Sequence, residues 1–248
     1  MSEDYSTKAA ARYLEVSEAS VRRWSDSGAL RAQRSGRRGT RRFAEADLRA
    51  FAESGRARTG RGRRGQERGS IRVGNLNLDV HAHLPTFFET DTGRLRLSVP
   101  FLRDGLLAGE TCFLYAFDDA REAYLQALRS EERTGVDAAL REGRLVLLPR
   151  LTTSSSQFLG RWEDVLLEAM AIGPTLIRIV GDMSSVRTMF SSDDDLADFE
   201  TSFNVIARRF PLVALCQYNV REIDGHTFLR EIKAHPDVFT TGLANLLC

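Results

Sequence analysis

The sequence predicts an α/β protein in two parts, a small basic N-terminal domain and a larger three-layer domain built on a mostly parallel sheet. In the larger part, short apolar runs alternate with amphipathic helical segments, and the runs lack the polar alternation of half-exposed strands. The segment "SGRARTGRGRRGQERGS" at 54–70 separates the parts, because it has no large apolar residue with which to bury a core. We therefore expect domains at 1–53 and 73–248, joined by a flexible linker over 54–72.

Composition places the chain among water-soluble globular proteins. Of its 248 residues 42% are hydrophobic and 28% are charged, and no apolar run approaches the roughly 18 residues that a membrane span requires. The three cysteines, Cys112, Cys216 and Cys248, show no CxxC spacing, which argues against a disulfide framework. We expect a cytoplasmic protein with no membrane partner.

The net charge of +1 hides an asymmetry between the two parts. Residues 1–72 contain 18 Lys and Arg against 9 Asp and Glu, whereas residues 73–248 contain 17 against 25. Opposite charges predict different partners, and the basic part favours a polyanion such as double-stranded DNA.

The N-terminal domain begins with two short predicted helices. "STKAAARYL" starts with Ser6 or Thr7 as a cap, "EVS" forms a turn, and Ser17 caps "EASVRRWSDSG", which ends at Gly28. Val21 and Trp24 are three residues apart and share the buried face of the second helix. The helix is short and basic, and its open face is polar. A helix that enters the major groove needs these properties.

A wing and a third helix follow. "LRAQRSGRRGTRRFAEADLRAF" predicts a glycine-punctuated hairpin with arginines near its tip, then a helix that turns Leu48 and Phe51 inward. Arginines at such a tip can hold phosphates across the groove edge. The predicted DNA-binding residues are Ser17, Ser20, Arg22, Arg23, Arg37, Arg38, Arg41 and Arg42.

These N-terminal motifs, "STKAAARYLEVSEASVRRWSDSGALRAQRS" and "GTRRFAEADLRAF", resemble the winged helix-turn-helix domain of MerR-type transcription regulators. The resemblance covers about 47 residues and implies a DNA-binding regulator. MerR-type proteins often continue into a dimerising coiled coil, whereas here the glycine-arginine linker interrupts that path. A homodimer would have to form through the C-terminal domain or on the DNA.

One alternating segment and four largely apolar runs predict the strands of the C-terminal sheet, and the alternating segment is the first in the chain. They are "LNLDVHAH" (76–83), "TCFLYAF" (111–117), "RLVLLP" (144–149), "TLIRIVG" (175–181) and "LVALCQY" (212–218). Ligands of such sheets bind beyond the carboxyl ends of the strands. No phosphate-binding G-x-x-x-x-G-K-[ST] sequence occurs in the chain, and Phe117, Asp118 and Asp119 stand where its glycines and lysine would lie. This argues against a nucleotide cofactor and against an ATP-dependent enzyme; we expect no catalytic residues and no cofactor.

The motifs "HLPTFFETDTGRLRLSVPFLRDGLLAGETCFLYAF", "IRIVGDMSS", "LADFETSFN" and "LVALCQYN" resemble the MEDS sensory domain of DcmR-type regulators. The resemblance spans roughly residues 75–245. It implies a KaiC/RecA-like core that has lost its phosphate loop and senses a small, apolar organic molecule. The family's recurrent positions correspond here to His83, Phe87, Phe88, Cys112, Arg178, Glu200, Cys216, Tyr218 and His235. Two positions depart from the pattern: Pro85 stands where a cysteine is frequent, and Ser185 where a tryptophan often follows "GDMS".

From the resemblance and from the strand ends, we expect a small-molecule effector bound by twelve residues. They are His83, Phe87, Phe88, Cys112, Tyr115, Phe117, Arg178, Asp182, Met183, Glu200, Cys216 and Tyr218. Arg178 is unusual in an apolar strand, and we expect it to pair with Glu200.

Other hypotheses remain open at this point. His81 and His83 would share one side of a strand and could bind a metal with Cys112 or Cys216, although satisfied polar strand positions explain them more simply, so no metal is expected. Either cysteine could instead trap an oxidant or an electrophile. The C-terminal domain could also respond to nucleotide or recruit a protein partner.

Overall fold

The computed structural model describes residues 4–14, 18–26, 30–35, 39–58, 69–74, 76–150 and 155–248. In chain order, the N-terminal domain contains β1 (Asp4–Ser6), α1 (Thr7–Leu14), α2 (Glu18–Asp26), β2 (Gln33–Ser35), β3 (Thr40–Ala44) and α3 (Glu45–Arg58). β3 pairs antiparallel with both β1 and β2, so the predicted wing hairpin is confirmed and gains a third strand that the sequence did not indicate.

The N-terminal helices pack as their apolar spacing predicts. Val21, Trp24 and Leu48 are fully buried and Phe51 nearly so. Ser6 Oγ accepts a hydrogen bond of 3.2 Å from the backbone N–H of Ala9, which confirms the predicted cap of α1. The helix α3 continues to Arg58, five residues past the predicted domain end. Ser17, Gly28, Arg37 and Arg38 lie outside the described residues.

The C-terminal domain contains the remaining strands and α-helices. In chain order they are β4 (Ser70–Val73), β5 (Leu76–Asp79), β6 (His83–Phe88), α4 (Asp91–Leu107), β7 (Thr111–Tyr115), α5 (Asp118–Ser130), α6 (Val136–Arg141), β8 (Leu145–Leu147), α7 (Ser155–Ala171), β9 (Ile177–Asp182), α8 (Met183–Val186), α9 (Asp193–Ala207), β10 (Leu212–Asn219), α10 (Gly225–Ala234) and α11 (Val238–Thr241).

Five strands form one parallel sheet in the order β6-β10-β9-β7-β8. Helices cover both faces, which confirms the predicted three-layer α/β class. One face packs against α7 and α9, and the other against α4 and α5. Of the helices that the structure describes, none has the length and hydropathy to cross a bilayer.

The segment 76–83, predicted as one strand, is divided in the structure between two strands, β5 and β6. Residues 76–79 form β5, which pairs antiparallel with β4 outside the main sheet, and β6 begins only at His83. Between them the chain turns at His81, which has a φ of 78°. His81 and His83 therefore do not share one side of a strand, and that prediction is wrong.

Candidate functional site

The twelve predicted ligand-binding residues are all buried, but they lie on two faces of the sheet. Side chains alternate along each strand, so neighbouring residues point to opposite helical layers. The α7/α9 face carries His83, Phe87, Tyr115, Phe117, Met183, Glu200, Cys216 and Tyr218. The α4/α5 face carries Phe88, Cys112, Arg178 and Asp182.

On the α7/α9 face, four polar side chains meet in a buried group that we call the His–Glu–Cys–His cluster: His83, Glu200, Cys216 and His235. His83 Nε2 lies 3.0 Å from Glu200 Oε2 and 3.2 Å from Cys216 Sγ. His235 Nε2 lies 3.5 Å from the same Glu200 oxygen, as does Cys216 Sγ. All four residues are at most 7% exposed.

Neighbouring side chains fix the orientation of both histidine rings. Asn204 donates through Nδ2 to the carbonyl of Ala234 at 2.6 Å, which directs its Oδ1 toward His83 Nδ1 at 3.1 Å. His235 Nδ1 lies 2.7 Å from the backbone carbonyl of Glu231. A carbonyl oxygen can only accept, so in each ring Nδ1 carries a proton and Nε2 faces the cluster.

A second carboxylic acid, Glu231, borders the cluster through Tyr218. The Tyr218 hydroxyl lies 3.1 Å from Glu200 Oε1 and 2.7 Å from Glu231 Oε2. One hydroxyl proton cannot serve two carboxylates. Burial, together with the nearby charge of Glu200, raises the pKa of Glu231 to about 7. The shorter of the two contacts is the one in which the Tyr218 hydroxyl donates to Glu231, and this hydrogen bond opposes the rise in the pKa of Glu231.

The remaining groups of the cluster also have shifted pKa values. Burial, followed by the neighbouring His235, lowers the pKa of His83. Burial opposes the charge on His235 as well, but the Glu200 carboxylate outweighs it and raises the pKa of His235. Burial likewise opposes ionisation of Glu200, yet the two imidazoles lower its pKa. Burial, and then Glu200, raises the pKa of the Cys216 thiol.

On the α4/α5 face, Arg178 is neutralised by Glu110 and not by Glu200. Arg178 Nε lies 2.5 Å from Glu110 Oε2, and Nη1 donates to the carbonyl of Phe101 at 2.9 Å. The predicted Arg178–Glu200 pair is wrong because Glu200, on α9, lies on the opposite side of the sheet. Cys112 lies beside Arg178, so Cys112 and Cys216 are also on opposite faces and cannot act on one site together.

Asp182 and Phe117 have structural partners at the carboxyl edge. Asp182 caps α8 by accepting from the backbone N–H of Ser185 at 2.9 Å, and it accepts from the Tyr124 hydroxyl at 3.1 Å. In the turn after β7, Asp118 has a φ of 52° and accepts from Arg150 Nη2 at 2.7 Å. The Arg150 guanidinium lies 4.4 Å from the ring centroid of Phe117. An aspartate–arginine ion pair thus occupies the turn between β7 and α5.

Two of the predicted DNA-binding arginines have partners within the N-terminal domain. Arg22 is half-exposed on α2 and pairs with Glu18 at 2.7 Å. Arg41 of β3 is mostly buried and pairs with Asp26 at 2.5 Å, which ties the wing to the end of α2. Arg42 is partly buried on β3, and Ser20 and Arg23 lie on α2.

Sequence reasoning missed several members of the candidate site. His235 was noted as a recurrent position but was not assigned to the site, and Glu110, Asn204 and Glu231 were not noted at all. His235 follows α10 and reaches Glu200 only because α10 packs on α9. Its local sequence, "AHP", signals only a helix end.

Comparison with known families agrees with this architecture. Residues 5–56 match the helix-turn-helix domain family, and residues 82–236 match a sensory domain. The protein is therefore a DNA-binding regulator with a C-terminal sensory domain. The chain belongs to the MEDS family, the methanogen/methylotroph DcmR sensory domain. It is 34% identical over 239 residues to the transcriptional repressor DcmR of Methylorubrum extorquens, an alignment that covers 94% of this chain and 89% of that protein.

Proposed function

We propose that this protein is a one-component transcription regulator whose affinity for DNA changes when its C-terminal domain binds a small organic molecule. The observation that carries the proposal is the presence on one chain of a basic helix-turn-helix domain and a MEDS domain. The DcmR relative is a repressor, and we propose repression here as well. We further propose that the protein acts in the cytoplasm and regulates transcription without catalysing a reaction.

The DNA-binding part of the proposal rests on α2 and the wing. Helix α2 would enter the major groove, and β2 and β3, which resemble the wing of MerR-type regulators, would follow the phosphate backbone. The basic segment 54–72 would add contacts that are independent of sequence and weaken with salt.

The sensory part of the proposal rests on the α7/α9 face. Phe203 and His235 lie against the His83 ring, with centroid distances of 5.0 and 4.2 Å, and Phe87 stacks on Tyr218 at 5.6 Å. Aromatic walls beside a few convergent polar groups suit a ligand with an apolar body and one polar anchor. The effector would enter by displacing the aromatic side chains of Phe87, Phe203 and Tyr218, since all three are buried.

A contact between the domains offers a route from effector to DNA. Arg209 follows α9 and forms an ion pair with Glu163 of α7, and its guanidinium lies 4.8 Å from the ring centroid of Phe51 in α3. A shift of α9 on effector binding would move this contact. The effector can act only through unequal affinity for the two arrangements.

The direct test is a DNA titration of the purified full-length chain. A labelled duplex from the region upstream of its own gene is compared with a scrambled duplex of equal length by fluorescence anisotropy. We expect the native duplex to bind about 10³-fold more tightly or better. Equal affinity for the two duplexes, or no binding at low ionic strength, would refute the proposal.

The effector is sought by native mass spectrometry of protein purified from its host. A co-purifying small molecule that changes the anisotropy titration would support sensing. A protein partner in place of a small molecule would favour a recruitment module. The same spectra give the oligomeric state and so test the homodimer.

A further inference from the structure

We propose that His83, Glu200, Cys216 and His235 form a binding site for one zinc-type divalent cation inside the MEDS domain. Each residue offers one ligand atom, and these atoms all lie within 4.8 Å of one another. The inference deepens the proposed function, because it places a cation in the same sensory layer. Cation binding itself can be measured without DNA.

The spacing of the donor atoms fits a four-coordinate ion. Zinc–ligand bonds of about 2.0 Å to nitrogen or oxygen and about 2.3 Å to sulfur place tetrahedral ligands about 3.3–3.7 Å apart. The contacts from His83 Nε2 to Glu200 and Cys216 are 3.0 and 3.2 Å, and those from Glu200 Oε2 to Cys216 and His235 are both 3.5 Å. These four contacts need shifts of only a few tenths of an ångström. The longest separation among the donors, up to 4.8 Å, involves His235 Nε2, so this ring would have to move inward by about 1 Å to complete a tetrahedral site.

The outer hydrogen bonds already direct the correct nitrogen of each ring inward. Asn204 accepts from His83 Nδ1 and the Glu231 carbonyl accepts from His235 Nδ1, so both Nε2 atoms face the cluster. A metal-binding histidine usually has such a partner on its other nitrogen. His235 Nε2 is fully buried and makes no well-formed hydrogen bond among the described residues, and its contact with Glu200 Oε2 is 3.5 Å long. This placement suits an atom that binds an ion.

Charge balance favours a divalent cation of intermediate softness. The Glu200 carboxylate and a Cys216 thiolate together neutralise two positive charges in a site from which water is excluded. Binding releases to solvent the thiol proton and any proton carried by the two Nε2 atoms, and no electron is transferred. Two imidazoles, one thiolate and one carboxylate suit zinc better than calcium or magnesium, which prefer oxygen donors alone.

The ion would connect four elements. His83 begins β6, Glu200 lies on α9, Cys216 lies on β10 and His235 follows α10. The cation would therefore hold both helices on the sheet, and α9 leads to Arg209 and its contact with Phe51. Because the unfolded chain lacks this arrangement, binding should raise the melting temperature.

The test is a cobalt titration of the full-length chain after treatment with a chelator under reducing conditions. We expect one equivalent of Co2+ to bind, with the intense visible bands of a four-coordinate ion and a thiolate-to-cobalt charge-transfer band. Zinc should displace the cobalt and raise the melting temperature. If the folded wild-type chain takes up no stoichiometric Co2+, or takes it up without the charge-transfer band, the proposal fails.

Matched cysteine variants locate the site. Cys216→Ser should abolish the charge-transfer band, whereas Cys112→Ser, which changes an equally buried thiol on the opposite face, should keep it. The proposal is overturned if the band survives in Cys216→Ser or disappears in a folded Cys112→Ser. Should either variant not fold, the wild-type titration decides alone.

Asn204 is a positioning residue, and two substitutions separate its roles. Both Asn204→Ala and Asn204→Asp lose the bond to the Ala234 carbonyl, but Asp retains an acceptor for His83 Nδ1. We expect Asn204→Ala to weaken cobalt binding about 10–100-fold and Asn204→Asp to retain it. Equal affinities would contradict the assigned role. DNA binding of the wild-type chain is measured in parallel. A wild-type chain that binds its duplex but takes up no stoichiometric Co2+ refutes the cation site and leaves the regulator.

Discussion

Arg178 and Glu110 form a buried ion pair at the amino end of the sheet, with 2.5 Å between Nε and Oε2. Arg178 lies on a central strand, and its side chain is 5% exposed. The carbonyl of Phe101 accepts a further hydrogen bond from the guanidinium. Glu110 thus neutralises the charge that Arg178 carries into an apolar strand. The ion pair lies on the face of the sheet opposite the His–Glu–Cys–His cluster.

Substitution of Glu110 should be costly. Glu110→Ala leaves the Arg178 charge buried with only a backbone partner, and we expect the free energy of unfolding to fall by about 3–5 kcal/mol. Urea denaturation measures the loss. The control is Asp137→Ala, which removes the partner of the exposed Arg129, 3.0 Å away, and should cost at most about 1 kcal/mol. Similar losses in both variants would contradict the account.

Gly105 of α4 packs against the Arg178–Glu110 pair, and a single added methyl group there should destabilise the protein. A Cβ on Gly105 of α4 would lie 2.6 Å from Arg178 Cδ and 2.8 Å from Cys112 Sγ. The guanidinium is held by Glu110 and cannot withdraw freely, so Gly105→Ala should destabilise the protein by about 1–3 kcal/mol. Gly225→Ala is the matched control, because a Cβ there meets nothing within 4 Å. Thermal unfolding compares the two, and an unchanged melting temperature in Gly105→Ala would count against this packing.

The sequence predicted the sheet well and the side-chain pairs poorly. The strands at 111–117, 175–181 and 212–218 were found because strands buried on both faces are nearly continuous apolar runs. The division at His81 was missed because a non-glycine residue in a left-handed turn carries no strong sequence signal. The predicted partner of Arg178 was wrong. The alternation of side chains along a strand shows which residues share a face of the sheet, but it does not show which helix covers that face.

The candidate site depended on packing that the sequence does not state. Glu200 and His235 meet only after α10 has packed on α9, and each looks ordinary in its own segment. Glu200 resembles a surface acid on an amphipathic helix, yet it is fully buried. The sequence left open whether His83 lies near Cys112 or Cys216, and the register of β6 on β10 places His83 beside Cys216.

Cys112 should be chemically inert in the native protein. Burial is the main cause that raises its pKa to about 12, so the thiolate is scarce at any pH well below that value. We expect iodoacetamide at pH 8 to label the partly exposed Cys248 first and to label Cys112 only in urea. Peptide mapping by mass spectrometry gives the order. Rapid native labelling of Cys112 would revive the hypothesis that this residue traps electrophiles.

Arg22 provides the sharpest test of DNA recognition through α2. Its side chain is 51% exposed, and its ion pair with Glu18 lies on the surface, where a phosphate can replace it. We expect Arg22→Ala to weaken binding and to reduce the slope of log K against log salt concentration by about 1, because one phosphate contact is lost. Arg141→Ala removes the same charge from an exposed position on α6 and should leave the slope unchanged. If both variants reduce the slope equally, total charge rather than the helix governs binding, and the assignment of α2 to the groove fails.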